Sequence, residues 1–484
     1  MADQVFAGVP HGVMRDAWWL GDEAPAPRDG RPELVRGAGL AVLALSALAD
    51  VLFWRQEPGV SLAVFAAAVF AAAAWWAPRR AGPAAVLGLG ALPVVDHVQA
   101  LSVAFLVATL AGAVVWARLP EGGLGRVSAG ATRLLALAPV AGLRAGLAWL
   151  GQGLRRPRGA GIGRAVRNWA FPVGGTLVFA ALLMDANPVL ARLLTLRLDL
   201  VTLMQRGLFW LGVALMVWPF LAPLPEAPGF RLPAAKALPQ FGINAASTLR
   251  ALVMFNLLIG VQTVMDLSIF WGGAALPDGM SHANYAHRGA YPLLATALLA
   301  GGFALAARPF LGEHRLIRPL MLLWLGQNVA LCLSALLRLD LYVATYGLTY
   351  LRVYSFIWMG LVAAGLALTA WQAARGRSNL WLLGRATAMG LAVLYLCSFV
   401  NFAGIIAAQN LRLAEPDVDY VCMLGRTASA AIRAAGRGDL MLPEGCGAAP
   451  VIRGWRDWGF RTWRVARYLA AAPVEVTYGH PDRG

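Results

Sequence analysis

Long apolar runs alternate along the chain with short polar breaks. Hydrophobic windows of about 17–25 residues are the length a helix needs to cross a bilayer. They fall near 35–54, 60–77, 81–95, 99–117, 168–186, 200–222, 247–271, 289–308, 315–337, 350–373 and 380–408. The pattern predicts an all-α, polytopic transmembrane helix bundle of about eleven spanning helices, the third short enough to be re-entrant. No period of about 20–50 residues stands out, which argues against a stacked-repeat solenoid.

The apolar pattern stops near Ala408. Residues 409–484 form a small C-terminal helical appendage, with short helices expected around 418–437 and 454–470 and a Gly/Pro-rich link between them. The second helix mixes Trp455, Trp458, Trp463, Arg461 and Arg464, a combination suited to a membrane–water boundary. At the other end, residues 1–30 carry acids and prolines and no apolar core, so they read as a loosely ordered cytoplasmic leader rather than a signal peptide. Within it, Val13–Leu20 is the stretch fit to touch the membrane surface. The expected organisation is therefore a leader (1–30), first transmembrane helices (31–117), a basic amphipathic cytoplasmic segment (118–167), the main transmembrane bundle with a polar site (168–408), and an extracytoplasmic appendage (409–484).

Composition agrees with the pattern. The chain is 59% hydrophobic and 14% charged, against roughly 45–50% and about 25% for soluble domains, and its mean hydropathy is +0.62. A net charge of +16 would point to nucleic acid in a soluble chain. Here it points instead to positive loops held on one side of a membrane, and no nucleic-acid partner is expected. Lys236 is the sole lysine, a skew that looks like coding bias, so an arginine is not by itself a phosphate fork. With the N-terminus inside, the inner connections hold Arg79, Arg80, the 118–167 segment, Arg231, Lys236, Arg308 to Arg318, Arg375, Arg377 and Arg385. The outer ones are nearly balanced: Arg55 with Glu57, Asp96 with His97, Asp278 with Arg288, Arg338 with Asp340. This predicts an inner-membrane protein with its N-terminus in and C-terminus out. Arg192, Arg197 and Arg206, assigned to an outer surface helix, run against the rule.

Segment 118–167 holds nine arginines and one acid, Glu121. Arg126, Arg133, Arg144 and Arg155 are spaced by 7, 11 and 11 residues, which at about 100° per residue keeps them within about 20° of one direction on a helix. Such a stripe fits anionic inner-leaflet lipid, and an acidic cytoplasmic or membrane protein partner is the sharper alternative. Pro139 is expected to break the helix in two. Cys332 and Cys397 fall inside spanning helices as small core residues. Cys422 and Cys446 lie in the appendage, where a disulfide is possible on the outer side.

Polar residues recur inside and between the apolar segments from 256 to 358. At membrane depth such groups are expensive unless paired or wet, so a cluster of them marks a candidate site. The candidates for ligand binding are Asp266, Arg338, Asp340 and Arg352, with Asn256, Gln262, Gln327, Asn328 and Asn401 beside them. His282, Tyr285, His287 and Arg288 in the preceding loop form a second group. Each has a plainer reading: the amides bridge helices, Tyr342, Tyr346, Tyr350 and Tyr354 form an interfacial belt, Asp266 pairs with Arg352, and the histidines are solvated. Phosphate-cradling GxxxxGK[ST], nucleophilic GxSxG and CxxC motifs are absent, and no cofactor or metal is expected.

The stretch HANYAHRGAYPLLATALLAGGFAL, followed by RPLMLLWLGQN and LRLDLYVATYGLTYLRVYSFIWM, and then NFAGIIAAQNLRLAEPDVDYVCMLG, resembles the bacterial domain-of-unknown-function 4153/4173 membrane proteins. The resemblance is most specific over 282–425 and implies a multi-helix membrane body followed by a short appendage. Here Asp417-Val-Asp-Tyr420 stands where a more leucine-rich run is usual. The resemblance implies no catalytic or binding residues. Three functions stay open: binding or transport of a small or amphipathic ligand through an outward-facing polar pocket, a membrane enzyme on a lipid-linked substrate using Asp50, Glu57 or Asp96, and a non-catalytic sensor or assembly partner.

Overall fold

A computed structural model gives the fold and describes residues 38–75, 77–119, 123–155, 162–186, 200–222, 244–270, 282–440 and 446–471. The expected leader, 1–30, lies outside them. The described residues are helical, with no strand among them. Six helices are long and apolar enough to cross a membrane: Ala100–Arg118, Val201–Leu221, Ala245–Asp266, Ile317–Tyr346, Tyr350–Arg375 and Asn379–Ser398. Three more are apolar but shorter, Ala38–Phe53, Ser61–Ala73 and Ala81–Asp96, and a further apolar stretch, Ala295–Phe310, runs from within the 26-residue helix His282–Ala307 into the turn after it. At 1.5 Å per residue a helix of 13–16 residues reaches only about 20–24 Å, short of a hydrocarbon layer of about 30 Å. Among the described residues, length and composition together support six of the eleven expected spans.

The chain divides into two compact units. The first comprises Met1–Trp54, Phe65–Ala84 and Leu110–Phe230. Its helices include α1 (Ala38–Phe53), α5 (Leu124–Arg155), α6 (Ile162–Ala186) and α7 (Leu200–Leu221). Asp50, buried on α1, is ion-paired with Arg206 on α7, and the Trp54 and Phe209 rings meet edge-on at 5.6 Å. Contrary to expectation, α5 runs unbroken through Pro139. A mid-helix proline costs about 3 kcal/mol, but contacts on both sides of it hold α5 in one line. Leu134 before it is 3% exposed. Gly142 after it comes so close to α7 that a Cβ there would lie 2.4 Å from the Leu215 carbonyl oxygen. Arg126, Arg133 and Arg144 are exposed on this helix; the Arg155 side chain lies outside the described residues.

The second unit comprises Arg55–Val64, Ala85–Thr109 and Arg231–Gly484. Its centre is α8 (Ala245–Phe270), α9 (His282–Ala307), α10 (Ile317–Tyr346) and α11 (Tyr350–Arg375). Ala297, Ala300, Ala304 and Ala307 recur down one side of α9 and are buried with Met321, Trp324, Leu325 and Leu331 of α10. Small residues there let the backbones approach closely where burial from water cannot drive association. The Trp324 ring sits 5.3 Å from Phe255 on α8 and 6.4 Å from Phe303 on α9. The opposite sides are apolar and exposed, Leu257 at 67% and Leu299 at 74%, as a lipid-facing surface should be.

The expected span 380–408 is two helices, α12 (Asn379–Ser398) and α13 (Phe402–Asn410). Asn401 caps α13 by accepting from Gly404 N–H at 3.2 Å, and the carbonyls freed at the break are taken up by distant side chains. Ser398 O accepts from Gln99 at 2.9 Å and from Arg461 at 2.8 Å, and Val400 O accepts from Arg461 at 3.1 Å. Asn410 on α13 brackets Leu348, accepting from its N–H and donating to its C=O.

The appendage is folded onto this end of the unit through short helices α14 (Val418–Met423), α15 (Ser429–Ala434) and α16 (Phe460–Ala471); the expected helix 418–437 is divided between α14 and α15, and α16 stands in the expected 454–470. Val421, Leu424, Ala428 and Ile432 are buried with Val353, Ala403 and Ile406. Cys422 and Cys446 are joined in a disulfide, a closure worth about 3 kcal/mol. The α16 end is held by Arg461, 3% exposed, whose Nε donates to Asp96 Oδ2 at 3.0 Å. Backbone pairing adds Val60 N–H to Trp458 O at 2.9 Å.

His97 lies beside this contact. Burial holds its imidazole below the ordinary value of 6.5, the Arg461 charge adds to that, and Asp96 opposes it. A histidine whose folded pKa is depressed stabilises the fold fully above its unfolded pKa and loses that contribution as pH falls below it. The thermal unfolding midpoint of the solubilised protein should therefore drop as pH is lowered through about 6.5, and His97→Gln should flatten that drop. A His97→Gln profile as steep as wild type would exclude His97 as its source.

Candidate functional site

On α8 a carboxylate, two amides and a threonine share one flank, and on α10 Gln327, Ser334 and Arg338 stand near it. The structure brings Asp266 and Arg338 together as a buried ion pair, 5% and 4% exposed respectively. Ser334 Oγ donates to Asp266 Oδ2 at 2.6 Å, and Gln262 Nε2 donates to Asp266 Oδ1 at 2.9 Å. Each charge is thus met by charge-assisted partners on the facing or the same helix, the condition under which ions survive inside an apolar bundle.

Below this pair α8 and α10 open into a groove of about 660 Å³ whose wall is mostly apolar. Val253, Leu257, Val261 and Val264 line it with Leu320 and Leu323, and Asn256 and Gln327 interrupt them. Asn256 is 7% exposed. Its Nδ2 donates to Leu252 O at 2.7 Å and to Leu320 O at 3.1 Å, which orients its Oδ1. Gln327 Nε2 donates to Asn256 O at 3.3 Å. The two amide oxygens, Asn256 Oδ1 and Gln327 Oε1, are buried and accept nothing among the described residues. A buried acceptor left without a donor costs about 1–3 kcal/mol.

The other expected site residues lie elsewhere. Asp340 follows Arg338 by two residues, about 200° round the helix, and is exposed. Arg352 does not meet Asp266. Its Nη1 donates to Tyr346 O at 2.8 Å and to Gly347 O, and its guanidinium lies 4.5 Å from the Tyr342 ring centroid. It closes the end of α10, where Gly347 has φ +76°. Asn328 is fully buried against the core and donates to Trp324 O at 2.8 Å. Asn401, besides its capping role, donates to Thr427 O at 2.9 Å. His282, Tyr285, His287 and Arg288 fall in the first turns of α9 rather than in a loop; their side chains lie outside the described residues. Among the described residues no three His, Cys, Asp or Glu side chains gather as a metal site.

The carboxylates considered as catalytic bases all face arginines: Asp50 with Arg206, Glu57 with Arg453 at 3.3 Å, Asp96 with Arg461 at 2.5 Å. Reading the sequence missed all three of these pairs and the Ser334 contact. Helical spacing carried a signal for Ser334, which precedes Arg338 by one turn; nothing local links residues 96 and 461.

Among the described residues, an all-helical architecture, six helices fit to cross a bilayer and an ion pair buried between two of them define a helical membrane protein. The chain belongs to the family described as Domain of unknown function (DUF4153), whose model matches residues 38–435. No curated protein and no solved structure matches it.

Removing one member of the buried pair should be far worse than removing both. Arg338→Ala is expected to cost about 3–5 kcal/mol, while Asp266→Leu with Arg338→Met recovers most of that loss. Thermal unfolding of the detergent-solubilised variants reads this. If the single and double variants unfold together at the wild-type midpoint, the pair does not tie α8 to α10.

Proposed function

We propose that this protein binds, and moves, an amphipathic ligand along the α8–α10 groove of a bacterial inner-membrane bundle. The observation carrying the reading is the pair of partnerless amide oxygens, Asn256 Oδ1 and Gln327 Oε1, set in an otherwise apolar groove. A molecule with a hydroxyl or amide N–H and a hydrocarbon chain satisfies both features at once. The groove-lining residues run from Val253 to Met265, about 18 Å along α8, and end next to Asp266. A single hydrocarbon chain fills that length.

The same reading takes about eleven helices as crossing the bilayer, the shorter apolar ones through a locally thinned membrane, with the N-terminus inside and the appendage outside. What supports it is the clustering of Arg308, Arg318 and Arg377 at the end of α9–α11 remote from the appendage. Exposed Arg126, Arg133 and Arg144 on α5 fit contact with anionic lipid of an inner leaflet. An enzyme acting on a lipid-linked substrate has less support, because Asp50, Glu57 and Asp96 are each already engaged by arginine.

Monoolein, which carries hydroxyl donors, should raise the unfolding midpoint at a concentration about tenfold lower than methyl oleate, which has none. Gln327→Leu should reduce that discrimination while keeping stability within about 1 kcal/mol of wild type, since it deletes an unsatisfied acceptor. Equal binding of the two lipids by the wild-type protein would defeat the proposal.

A further inference from the structure

At the end of α9–α11 away from the appendage, Leu305, Arg308, Gly312, Arg318, Ala373 and Asn379 help to line a depression of about 570 Å³. Two arginines are pinned in it by main-chain carbonyls: Arg308 Nη2 donates to Arg377 O at 2.7 Å, and Arg318 Nη2 donates to Ala374 O. These contacts cap the C-terminal end of α11, where cations are favourable in any case. Capping uses one N–H of each guanidinium. The rest of each fork makes no further hydrogen bond among the described residues. Stretches 308–318 and 375–377 together carry Arg308, Arg315, Arg318, Arg375 and Arg377 against the single carboxylate of Glu313, an excess far beyond what one helix end requires.

The surroundings say what kind of anion belongs there. Trp371, half exposed, lies under the Arg375 guanidinium at 4.7 Å, the pairing of aromatic and cation that marks a membrane–water interface. Leu305, 41% exposed, is on the wall of the depression, and Leu380 at the start of α12 is exposed at 62%. A phosphate on the arginine forks would therefore have greasy helix surface directly beside it. Pre-anchored guanidinium groups suit the planar, two-point recognition of phosphate oxygens.

We propose that Arg308 and Arg318 form a headgroup site for the phosphodiester of an anionic glycerophospholipid, its acyl chains lying against Leu305 and the neighbouring apolar faces. The site is independent of the α8–α10 groove and stands or falls separately from it.

Retained lipid on the full-length protein, counted by native mass spectrometry with dioleoylphosphatidylglycerol, dioleoylphosphatidylcholine or inorganic phosphate, tests the assignment. Phosphatidylglycerol should be retained about tenfold better than phosphatidylcholine, and inorganic phosphate at equal concentration should not displace it. Arg308→Gln with Arg318→Gln should abolish that preference, and Arg315→Gln, whose side chain is not on the wall, should leave it intact. Should the double glutamine variant not fold, Arg308→Lys with Arg318→Lys keeps the charge and loses the fork, and is expected to weaken the preference several-fold. Three results would overturn the site: equal retention of both lipids, full preference in the folded double variant, or displacement by phosphate, the last marking a site for a free anion.

Discussion

A carboxylate on an apolar helix has no water to turn to, so it must find its cation on another helix or not be ionised there. Three carboxylate–arginine pairs join distant parts of the described chain: Asp50 with Arg206, whose guanidinium is half exposed, Asp266 with Arg338, both buried, and Asp96 with Arg461, nearly so. Their members are 156, 72 and 365 residues apart, so each pair joins elements that sequence proximity would never bring together. Burying an ion pair gains little net stability over well-packed apolar groups, but breaking one is costly. The pairs therefore act as selectors of neighbours. Asp266 and Arg338 select α10 as the partner of α8, and the groove carrying Asn256 and Gln327 exists only because those two helices run side by side.

Apolar windows anticipated the helical body well because hydrophobic length is a local property: α8, α10 and α11 begin and end within a few residues of the predicted windows, apart from α10's extension to Tyr346. The errors lie where distant partners decide. The break between α12 and α13 needs Arg461 and Gln99 to donate to the freed carbonyls of Ser398 and Val400, and neither donor is visible from the local run. Continuity through Pro139 likewise depends on α7 lying against Gly142. Among the described residues, helix length meets six of the eleven expected spans; alanine-rich segments such as Ser61–Ala73 are apolar enough to score as spans but only 13 residues long.

The candidate site was half legible. Asp266 and Arg338 stood out as charges inside greasy helices, and they do meet. Arg352 was grouped with them by nearness in sequence, yet a chain reversal at Gly347 separates α10 from α11, and the guanidinium serves that reversal. Asp340 was grouped by the same nearness, though two residues on a helix reverse the direction a side chain faces. Spacing along the chain groups residues well only when the helical phase is read with it.

Not every unsatisfied amide carries the same meaning. Asn328 Oδ1 is also without a partner among the described residues, but Asn328 is fully enclosed beside Trp324 in the α8–α10 core, where only a small polar molecule could reach it. Asn256 and Gln327 line an open groove with exposed Leu257, Val261 and Val264 around them. Both oxygens are themselves buried, but they belong to residues on the wall of a groove with a chain-shaped apolar surface. The difference between the two cases is position: Asn328 sits in the closed core, whereas Asn256 and Gln327 sit on the wall that the pairing of α8 with α10 provides. The family match covers this whole region and ends at 435, before Cys446 and Arg461. The helix pair that builds the groove thus lies within the shared part of the chain, whereas the outer half of the appendage's attachment lies beyond it.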